Sequence, residues 1–359
     1  MRNLYLGVLL APYRLDYYNY LYEHLNCDIY FQLKGFKGQL FSTEELEKKC
    51  NFTPNYLEIT RLGGDRQMVW NLRKIIKQAK PQIVIVPEFS ILTIQVILLK
   101  KLYQYKYKIV SQCDDSYHML EHTGYSRFHG ISRKICLPFL DELILLDNRA
   151  TQWYQKHYHK GLFMPLIADE NKIGTSKERV LNIAQKLCEQ YNKDNCKIIL
   201  FVGRLIEYKN LQNLLKACTK LQFPFKLIIV GDGEKRLELE SLANQIQVNV
   251  EFVGRKNGLE LYAWYCLADA FVLPSKLEPF GAVTNEALLF GCNCCVSSLA
   301  GSACLIKEGI NGYLCNPNSI DDISDKITRT VNLGTTRDRK SKMPFSFESQ
   351  LQHIIKSIM

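Results

Sequence analysis

The sequence lacks any apolar run that approaches the roughly 20 residues needed to span a bilayer. Its first apolar stretch, Leu4–Ala11, is short for the core of a signal peptide, and no small-residue cleavage site follows it. We therefore interpret this stretch as the first buried strand. Both absences argue against a membrane-spanning chain and against a secreted one.

Cysteines in a metal-binding arrangement are also lacking. The 13 cysteines are scattered, and the tightest group, Cys292, Cys294 and Cys295, does not have the paired two-residue spacing of a zinc site. Because this group lies in an apolar run, we predict small buried core residues there, with metal or redox chemistry as the less favoured alternative. We expect no cofactor and no bound metal. Free thiols in this number favour a reducing compartment, hence the cytoplasm.

A dinucleotide-binding fingerprint and a nucleic-acid-binding module are missing as well. No Gly-x-Gly-x-x-Gly follows the first strand, which continues into Ala11-Pro12-Tyr13 and so disfavours a nicotinamide oxidoreductase. The net charge is +10, and residues 1–165 hold 22 Lys and Arg against 15 Asp and Glu, a surplus of 7. Without a recognised module, this charge does not predict nucleic acid as a partner.

One stretch of the basic half, Ile97–Lys108, mixes aliphatic, aromatic and basic residues. It fits a core-packed helix whose lysine stems cover apolar surface, which is the favoured interpretation. It also fits a surface that rests on anionic lipid, which would suit a lipid-linked acceptor. The sequence leaves both interpretations open.

What the sequence does contain is a regular alternation of short apolar strands and amphipathic helices. With 47% hydrophobic and 23% charged residues, the 359-residue chain is typical of a soluble α/β protein with two domains. We predict two Rossmann-like domains, 1–165 and 166–335, followed by a terminal helical segment, 336–359. Two such domains create a cleft, and open α/β sheets bind ligands at the carboxyl ends of their strands.

The predicted strands are Leu4–Leu10, Asp28–Gln32, Tyr56–Thr60, Gln82–Pro87, Lys108–Gln112, Glu142–Leu146, Ile198–Gly203, Lys226–Gly231, Val250–Gly254, Ala270–Pro274 and Cys294–Ser297. The predicted helices are Tyr17–His24, Asp65–Gln78, Ser90–Tyr103, Asn210–Lys220, Arg236–Leu242, Leu259–Cys266 and Asn285–Phe290.

Polar residues follow successive strands of the second half. Arg204 comes directly after Gly203, and Lys209-Asn210 opens the next helix. Two cations beside a helix N-terminus suit a diphosphate, although a solvated loop with a helix cap remains the alternative. Gly231-Asp232-Gly233 follows the next strand as a tight turn, which is weak evidence by itself.

The most distinctive segment is Ser275–Leu288. Glu278 lies in the loop after a strand, and Glu286 lies eight positions later in the following helix. Between them, Phe280-Gly281-Ala282-Val283 supplies unpaired N–H groups where the helix begins. The two carboxylates can accept hydrogen bonds from sugar hydroxyls, whereas two solvated acids beside a turn are the simpler alternative.

In their order and spacing, these motifs resemble the retaining glycosyltransferases of family 4, which have the GT-B fold. The resemblance covers residues 197–316 and rests on Phe201–Leu205 with Lys209-Asn210, Ile229–Gly233, Phe252–Gly254, the Glu278–Glu286 element and Gly309–Leu314.

The resemblance implies transfer of a sugar from a nucleotide-sugar donor to a glycan or lipid-linked acceptor, with retention and without bound metal. Arg204 and Lys209 would bind the diphosphate, Glu278 the sugar hydroxyls, and Glu286 the ribose. The donor set is completed by main-chain groups and the base pocket at Phe280, Gly281, Ala282, Val283, Gly254 and Arg255. UDP is favoured by its frequency in the family. A role in bacterial capsule or lipopolysaccharide synthesis, and a terminal helix packed on the first domain, follow by the same analogy.

The acceptor side is indicated more weakly. Asp114 and Asp115 follow the predicted strand Lys108–Gln112, where relatives place a His-Asp pair, and His118 is close by. Asp114 is the candidate for contact with the reacting groups. Arg14 and Glu88 are further candidates, and a solvated acidic loop remains the alternative.

Two departures from the family pattern concern glycine-rich turns. Ala300-Gly301-Ser302 replaces a Gly-Gly pair that a glutamate follows, and we still expect a turn there. The early Gly-Gly loop is missing, and Gly63-Gly64-Asp65 lies later, either as a helix-capping turn or as a cleft loop.

Two other functions stay open. An epimerase or hydrolase of the same fold would convert the donor without an acceptor. A non-catalytic partner subunit is disfavoured because Arg204, Lys209 and Glu278 are all present.

Overall fold

The computed structural model describes residues 1–36, 39, 41–63, 66–121, 126–171, 176–191, 196–335 and 338–359. Gly64 and Asp65, which the sequence analysis singled out, lie outside these ranges, as does the side chain of His118. The described chain forms two compact units. The first contains Met1–Ala168 and Glu348–Met359, and the second contains Asp169–Phe347.

The first unit is built on a parallel sheet of seven strands in the order β3-β2-β1-β6-β7-β8-β9, with an antiparallel hairpin β4-β5 in addition. The strands are β1 (Asn3–Leu9), β2 (Cys27–Leu33), β3 (Asn55–Tyr56), β4 (Ile59–Gly63), β5 (Arg66–Val69), β6 (Ile83–Pro87), β7 (Lys108–Cys113), β8 (Glu142–Leu145) and β9 (Leu162–Phe163). In β6, four consecutive side chains from Ile83 to Val86 are buried because helices cover both faces of a parallel sheet.

The helices of the first unit are α1 (Leu15–His24), α2 (Thr43–Glu47), α3 (Leu72–Ala79), α4 (Ile91–Leu102), α5 (Tyr117–Glu121), α6 (Arg127–Cys136), α7 (Asn148–Tyr158) and, from the end of the chain, α14 (Phe347–Ile358). Short 3-10 turns lie at Pro12–Arg14 and Leu137–Phe139. Lys108 Nζ donates to the main-chain oxygens of Ile358 and Met359 over 3.1 and 2.7 Å, which ties the last turn of α14 to the start of β7.

The second unit has a parallel sheet of six strands in the order β12-β11-β10-β13-β14-β15. Its strands are β10 (Lys197–Val202), β11 (Phe225–Val230), β12 (Val250–Gly254), β13 (Ala270–Leu273), β14 (Asn293–Ser297) and β15 (Gly312–Cys315). Its helices are α8 (Lys177–Gln190), α9 (Leu211–Cys218), α10 (Arg236–Gln245), α11 (Gly258–Leu267), α12 (Ala282–Leu289) and α13 (Ile320–Asn332). Two 3-10 turns lie at Glu207–Lys209 and Gly301–Leu305.

Both sheets therefore have the topology of doubly wound α/β domains. The strand order reverses between β1 and β6 in the first unit and between β10 and β13 in the second. The loops after these strands leave in opposite directions, and the crevice that opens at the carboxyl ends is where such folds bind ligands. The fold class predicted from the sequence is confirmed.

One predicted strand and one predicted helix differ from the structure. The predicted strand Tyr56–Thr60 is divided, because Asn55–Tyr56 pairs with β2 and Ile59–Gly63 belongs to the hairpin. The structure has no helix over Asp65–Gln78 as a whole within its described part, because Arg66–Val69 pairs with Ile59–Gly63 as a strand and a helix begins only at Leu72. Gln67 and Val69 are buried while the residues that alternate with them are more exposed, which is the period of a strand. The turn expected at Ala300-Gly301-Ser302 does form.

The cysteine group lies in the core of the second unit. Cys292, Cys294 and Cys295 are all buried, the last two on β14. Among the described side chains, no cluster of three or more histidines, cysteines or acids is placed to hold a metal ion. Within the same ranges, no helix combines the length and the apolar character needed to cross a membrane.

Candidate functional site

Main-chain contact between two loops sets the floor of the candidate donor site. Gly203, directly after β10, lies against Gly231, directly after β11, and a Cβ on Gly231 would collide with the carbonyl oxygen of Gly203. Leu205 N donates to Asp232 O over 3.0 Å, and a Cβ on Gly233 would lie 2.5 Å from Leu205 O. Glycine is needed at these positions so that the two loops can approach one another.

Lys209 and Glu278 form an ion pair at the point where the sheet order reverses. Lys209 ends the 3-10 turn after β10, Glu278 lies in the loop after β13, and Lys209 Nζ contacts Glu278 Oε2. The side chains of Lys209 and Glu278 are only 12% and 10% exposed, so water solvates their charges poorly and each charge is neutralised by the other. Asn210, the next residue, donates to the carbonyl oxygens of Pro274 and Pro317, which holds the loops together.

Arg204 supplies a second cation on the same side. It is exposed, and its Nη2 donates to the Tyr208 hydroxyl over 2.9 Å. The structure thus brings Arg204, Lys209 and Glu278 together around the loops that follow β10 and β13.

The N-terminus of α12 adds a row of main-chain donors. Among the hydrogen bonds of the described residues, none is donated by the N–H groups of residues 280–283, and no side chain caps the helix. Gly281 has a φ of +93°, and a Cβ there would lie 2.8 Å from Leu273 Cδ2 and 3.1 Å from Glu278 Cγ. The side chain of Phe280 is buried, so it can reach a ligand only through its main chain. Ala282 and Val283 are partly exposed at the start of the helix.

Glu286, one turn further along α12, has a partner that sequence analysis missed. Tyr265 on α11 donates its hydroxyl to Glu286 Oε2 over 2.9 Å, and the Tyr265 side chain is fully buried. Burial raises the pKa of Glu286 to about 7, and the Tyr265 hydrogen bond acts in the opposite direction.

The predicted base-binding residues lie at the end of β12. Gly254 has a φ of +73°, and a Cβ there would have open space around it, with none of the described residues beyond its chain neighbours within 4 Å. The carbonyl oxygen of Gly254 accepts from Gly231 N over 2.9 Å. Arg255 is exposed beside it. Both residues are therefore next to the Gly231 turn, on the far side of β10 from Glu278.

In the first unit, three of the predicted acceptor-side residues meet around one cavity. A cavity of about 230 Å³ is lined by Tyr5, Tyr13, Arg14, Glu88, Gln112 and Asp114, among others. Arg14 Nη2 lies 2.5 and 2.8 Å from the two carboxylate oxygens of Asp114, and the Arg14 side chain is buried. Pockets for drug-sized ligands measure about 300–1,000 Å³, so this cavity suits a single ring better than an oligosaccharide.

Glu88 is held in the cavity wall by its main chain. Its φ is +47°, and its N–H donates to Gln112 O over 2.8 Å while its carbonyl oxygen accepts from Thr93 and Ser111. Burial, together with Asp114 and Asp115, raises the pKa of Glu88 to about 7.

Asp115 is separated from the cavity. Its carboxylate is buried, accepts from the Tyr154 hydroxyl over 2.9 Å, and lies 3.1 Å from His129 Nε2. Although burial opposes its ionisation, the His129 hydrogen bond and charge lower the pKa of Asp115, and the hydrogen bond to Asp115 raises the pKa of His129. His129 on α6 also lies 3.9 Å from Glu88 Oε2. Sequence analysis missed His129 and Tyr154, because neither belongs to a local motif.

Part of the chain is similar in sequence to known glycosyltransferases. Residues 185–343 match the family described as "Glycosyl transferases group 1". An uncharacterized glycosyltransferase of Methanocaldococcus jannaschii is 37% identical over 167 residues, which are 45% of this chain and 42% of that protein. A protein of Campylobacter jejuni is 29% identical over 208 residues, which are 56% of this chain and 53% of that protein. Its name is GalNAc-alpha-(1->4)-GalNAc-alpha-(1->3)-diNAcBac-PP-undecaprenol alpha-1,4-N-acetyl-D-galactosaminyltransferase. The chain thus spans about half or less of the length of these two relatives.

Among solved structures, HepE of Anabaena in complex with UDP superposes with a TM-score of 0.76 at 15% identity, covering 100% of this chain and 99% of that one. The chain therefore has the GT-B fold. Most of the second unit is thus similar to the group 1 glycosyl transferases.

Proposed function

We propose that this protein is a retaining glycosyltransferase that moves a sugar from a nucleotide-sugar, a UDP-sugar, to a glycan or lipid-linked acceptor. The observation that carries the proposal is the Lys209–Glu278 pair at the reversal point of the second sheet, beside Arg204 and the uncapped N-terminus of α12. Ligands of doubly wound folds bind at this point.

The donor site would work by electrostatic stabilisation. Arg204, Lys209 and the N–H groups of residues 280–283 would receive the diphosphate, and they would offset the negative charge that grows as the nucleotide leaves. Glu278 would exchange its contact with Lys209 for hydroxyls of the donor sugar. Glu286 would accept from the ribose hydroxyls, since Tyr265 occupies only Oε2.

The cavity of the first unit is our candidate for the acceptor sugar. Asp114 is committed to Arg14, so it would accept a hydrogen bond rather than a proton. The half-exposed side chain of Glu88 lines the cavity, and partial burial together with Asp114 and Asp115 raises its pKa to about 7. Glu88 is therefore the better candidate for receiving the proton of the acceptor hydroxyl.

Three finer points of the proposal rest on relatives. HepE was crystallised with UDP, and the name of the Campylobacter jejuni relative describes an undecaprenol-linked acceptor. We therefore propose UDP as the nucleotide, surface polysaccharide synthesis as the role, and the cytoplasm, at the inner face of the membrane, as the location.

The test is isothermal titration calorimetry with UDP, GDP and ADP. We expect one nucleotide to bind, and Arg204→Ala or Lys209→Ala to weaken it by tenfold or more, which corresponds to about 1.4 kcal/mol or more for each cation. Lys220→Ala is the matched control, because Lys220 pairs with Asp321 at the surface of the same unit.

A second variant separates the sugar contact from the phosphate contact. Glu278→Gln frees Lys209, so it should bind bare UDP at least as tightly as the wild type and a UDP-sugar more weakly. If no nucleotide binds the wild type at millimolar concentration, the donor site is wrong and the non-catalytic partner subunit becomes the leading interpretation.

A further inference from the structure

One region of the first unit leaves large apolar side chains exposed. Of the 18 such side chains among the described residues, seven lie on the end of α4, on α6 and on the 3-10 turn that follows α6. We call this region the α4–α6 surface, and its apolar members are Leu98, Leu102, Tyr103, Phe128, Ile131, Ile135 and Phe139. The second unit exposes only three in its described part, Leu237, Leu277 and Ile310.

The exposed residues form stripes with helical spacing. On α6, the exposed Phe128, Ile131 and Ile135 are separated by three and four positions, while Ser132, Arg133 and Cys136 are buried. Near the end of α4, Leu98 and Leu102 are exposed four positions apart, while Val96 and Ile97 are buried. The helices α4 and α6 contact each other, and Lys101 on α4 reaches the ring of Phe139 in the turn after α6.

Basic side chains border the stripes. Lys101 Nζ lies 3.5 Å from the ring centroid of Phe139, and the Arg66 guanidinium lies 4.4 Å from that of Phe128. Arg127 and Lys134 are exposed on α6 itself. Neither α4, α6 nor the turn Leu137–Phe139 contains Asp or Glu.

We propose that the α4–α6 surface docks on a lipid bilayer that contains anionic lipid. The apolar side chains would enter the headgroup region, and the bordering cations would contact lipid phosphates. The charge is of one sign across both helices, which matches a uniformly anionic surface better than a protein interface, where charges of both signs meet. This inference deepens the proposed function and rests on it for its biological meaning, since a lipid-linked acceptor is found at a bilayer.

The stretch Ile97–Lys108 accounts for part of this surface. Ile97 and Tyr107 are buried, as a core-packed helix and strand require, whereas Leu98, Lys101 and Leu102 are exposed. The exposed cations of α6, Arg127 and Lys134, lie outside that stretch.

The test is co-sedimentation with vesicles of phosphatidylcholine alone and of phosphatidylcholine mixed with phosphatidylglycerol. We expect the wild type to bind the mixed vesicles only, and more weakly at high salt. Ile131→Asp combined with Ile135→Asp should abolish binding. Arg127→Gln combined with Lys134→Gln should weaken it by more than tenfold, because each cation near an anionic surface contributes about fivefold.

The control is Leu237→Asp, which places the same substitution at an exposed leucine of the second unit and should not change vesicle binding. All substituted side chains are exposed, so thermal melting should show a folded chain in every variant.

Absence of wild-type binding to the mixed vesicles would overturn the proposal, as would equal binding by the isoleucine variant. A wild-type dimer in sedimentation velocity that Ile131→Asp converts to a monomer would also overturn it and assign the surface to a second copy of the chain.

UDP calorimetry on the same variants keeps the two proposals apart. Retained UDP binding with lost vesicle binding supports the membrane surface, whereas vesicle binding without nucleotide binding supports it and contradicts the proposed function.

Discussion

Tyr265 and Glu286 come from different helices, and the hydrogen bond between them modifies how the partly buried Glu286 carboxylate ionises. Burial raises the pKa of Glu286 above its ordinary value to about 7, and the hydrogen bond from Tyr265 partly offsets this. A group with a raised pKa is protonated as the pH falls through that pKa. Protonated Glu286 can no longer accept two hydrogen bonds from ribose hydroxyls, so nucleotide binding should weaken below pH about 7.

Tyr265→Phe tests this positioning role. Without the hydroxyl, the pKa of Glu286 rises further, so the midpoint of the pH dependence of UDP binding should move to higher pH. Calorimetry over a pH series measures the midpoint. Tyr191→Phe is the matched control, because the Tyr191 hydroxyl donates to Glu251 instead. An identical midpoint in both variants would show that the Tyr265 hydrogen bond is only structural.

At the scale of single residues, the sequence was informative where charged side chains lie in the loop directly after a predicted strand. The sequence predicted Arg204, Lys209 and Glu278 as donor-site residues, and the structure places all three in loops at the same edge of the sheet, where loops after parallel strands meet. Tyr265 and His129 were not, since each acts through a partner on another element and no local pattern marks it. The pairing of Lys209 with Glu278 also could not be read from the sequence, where they are 69 positions apart.

At the scale of elements, the start of α12 depends on the main-chain geometry of Gly281. Gly281→Ala should lower the free energy of unfolding by about 1–3 kcal/mol, because its φ of +93° disfavours a side chain and the new Cβ would lie 2.8 Å from Leu273 Cδ2. The N–H groups of the helix would shift, so UDP binding should weaken as well. Circular dichroism melting and calorimetry measure the two effects.

Gly334→Ala serves as the control, because it separates the cost of a positive φ from the cost of a steric clash of the new Cβ. Gly334 has a φ of +69°, but none of the described residues beyond its chain neighbours lies within 4 Å of where its Cβ would be. This variant should therefore show only the smaller backbone cost and normal UDP binding. Equal losses at both positions would mean that the collision at Gly281 is relieved without moving α12.

Predictability also differed among elements. Strands such as Phe225–Val230 were found because a buried parallel strand is a short apolar run. The helices α6 and α13 were not predicted, although each buries one face and exposes the other.

At the scale of the whole molecule, the chain returns to its first unit with α14. Leu351, Ile354 and Ile358 are buried although they come from the last residues of the sequence. Leu351→Ala should destabilise the first unit by about 2–5 kcal/mol, the cost of a cavity in a packed core. Hydrogen exchange with mass spectrometry should show faster exchange in β7 and α14, with UDP binding retained.

Leu214→Ala, at an equally buried leucine of α9, is the control in the second unit. It should accelerate exchange in β10 and α9 instead. Faster exchange throughout both units in either variant would show that the units unfold together.

In the proposed transfer reaction, the Lys209–Glu278 contact would matter again after the sugar has left. While a sugar-bearing donor is bound, Glu278 would hold the sugar and leave Lys209 to the diphosphate. After transfer, Glu278 would be free to pair with Lys209 again and would compete with the spent nucleotide for the same cation. The Glu278 carboxylate would thus shorten the time for which UDP stays bound after transfer. Glu278→Gln removes the charge of this carboxylate, so UDP should inhibit that variant more strongly than the wild type.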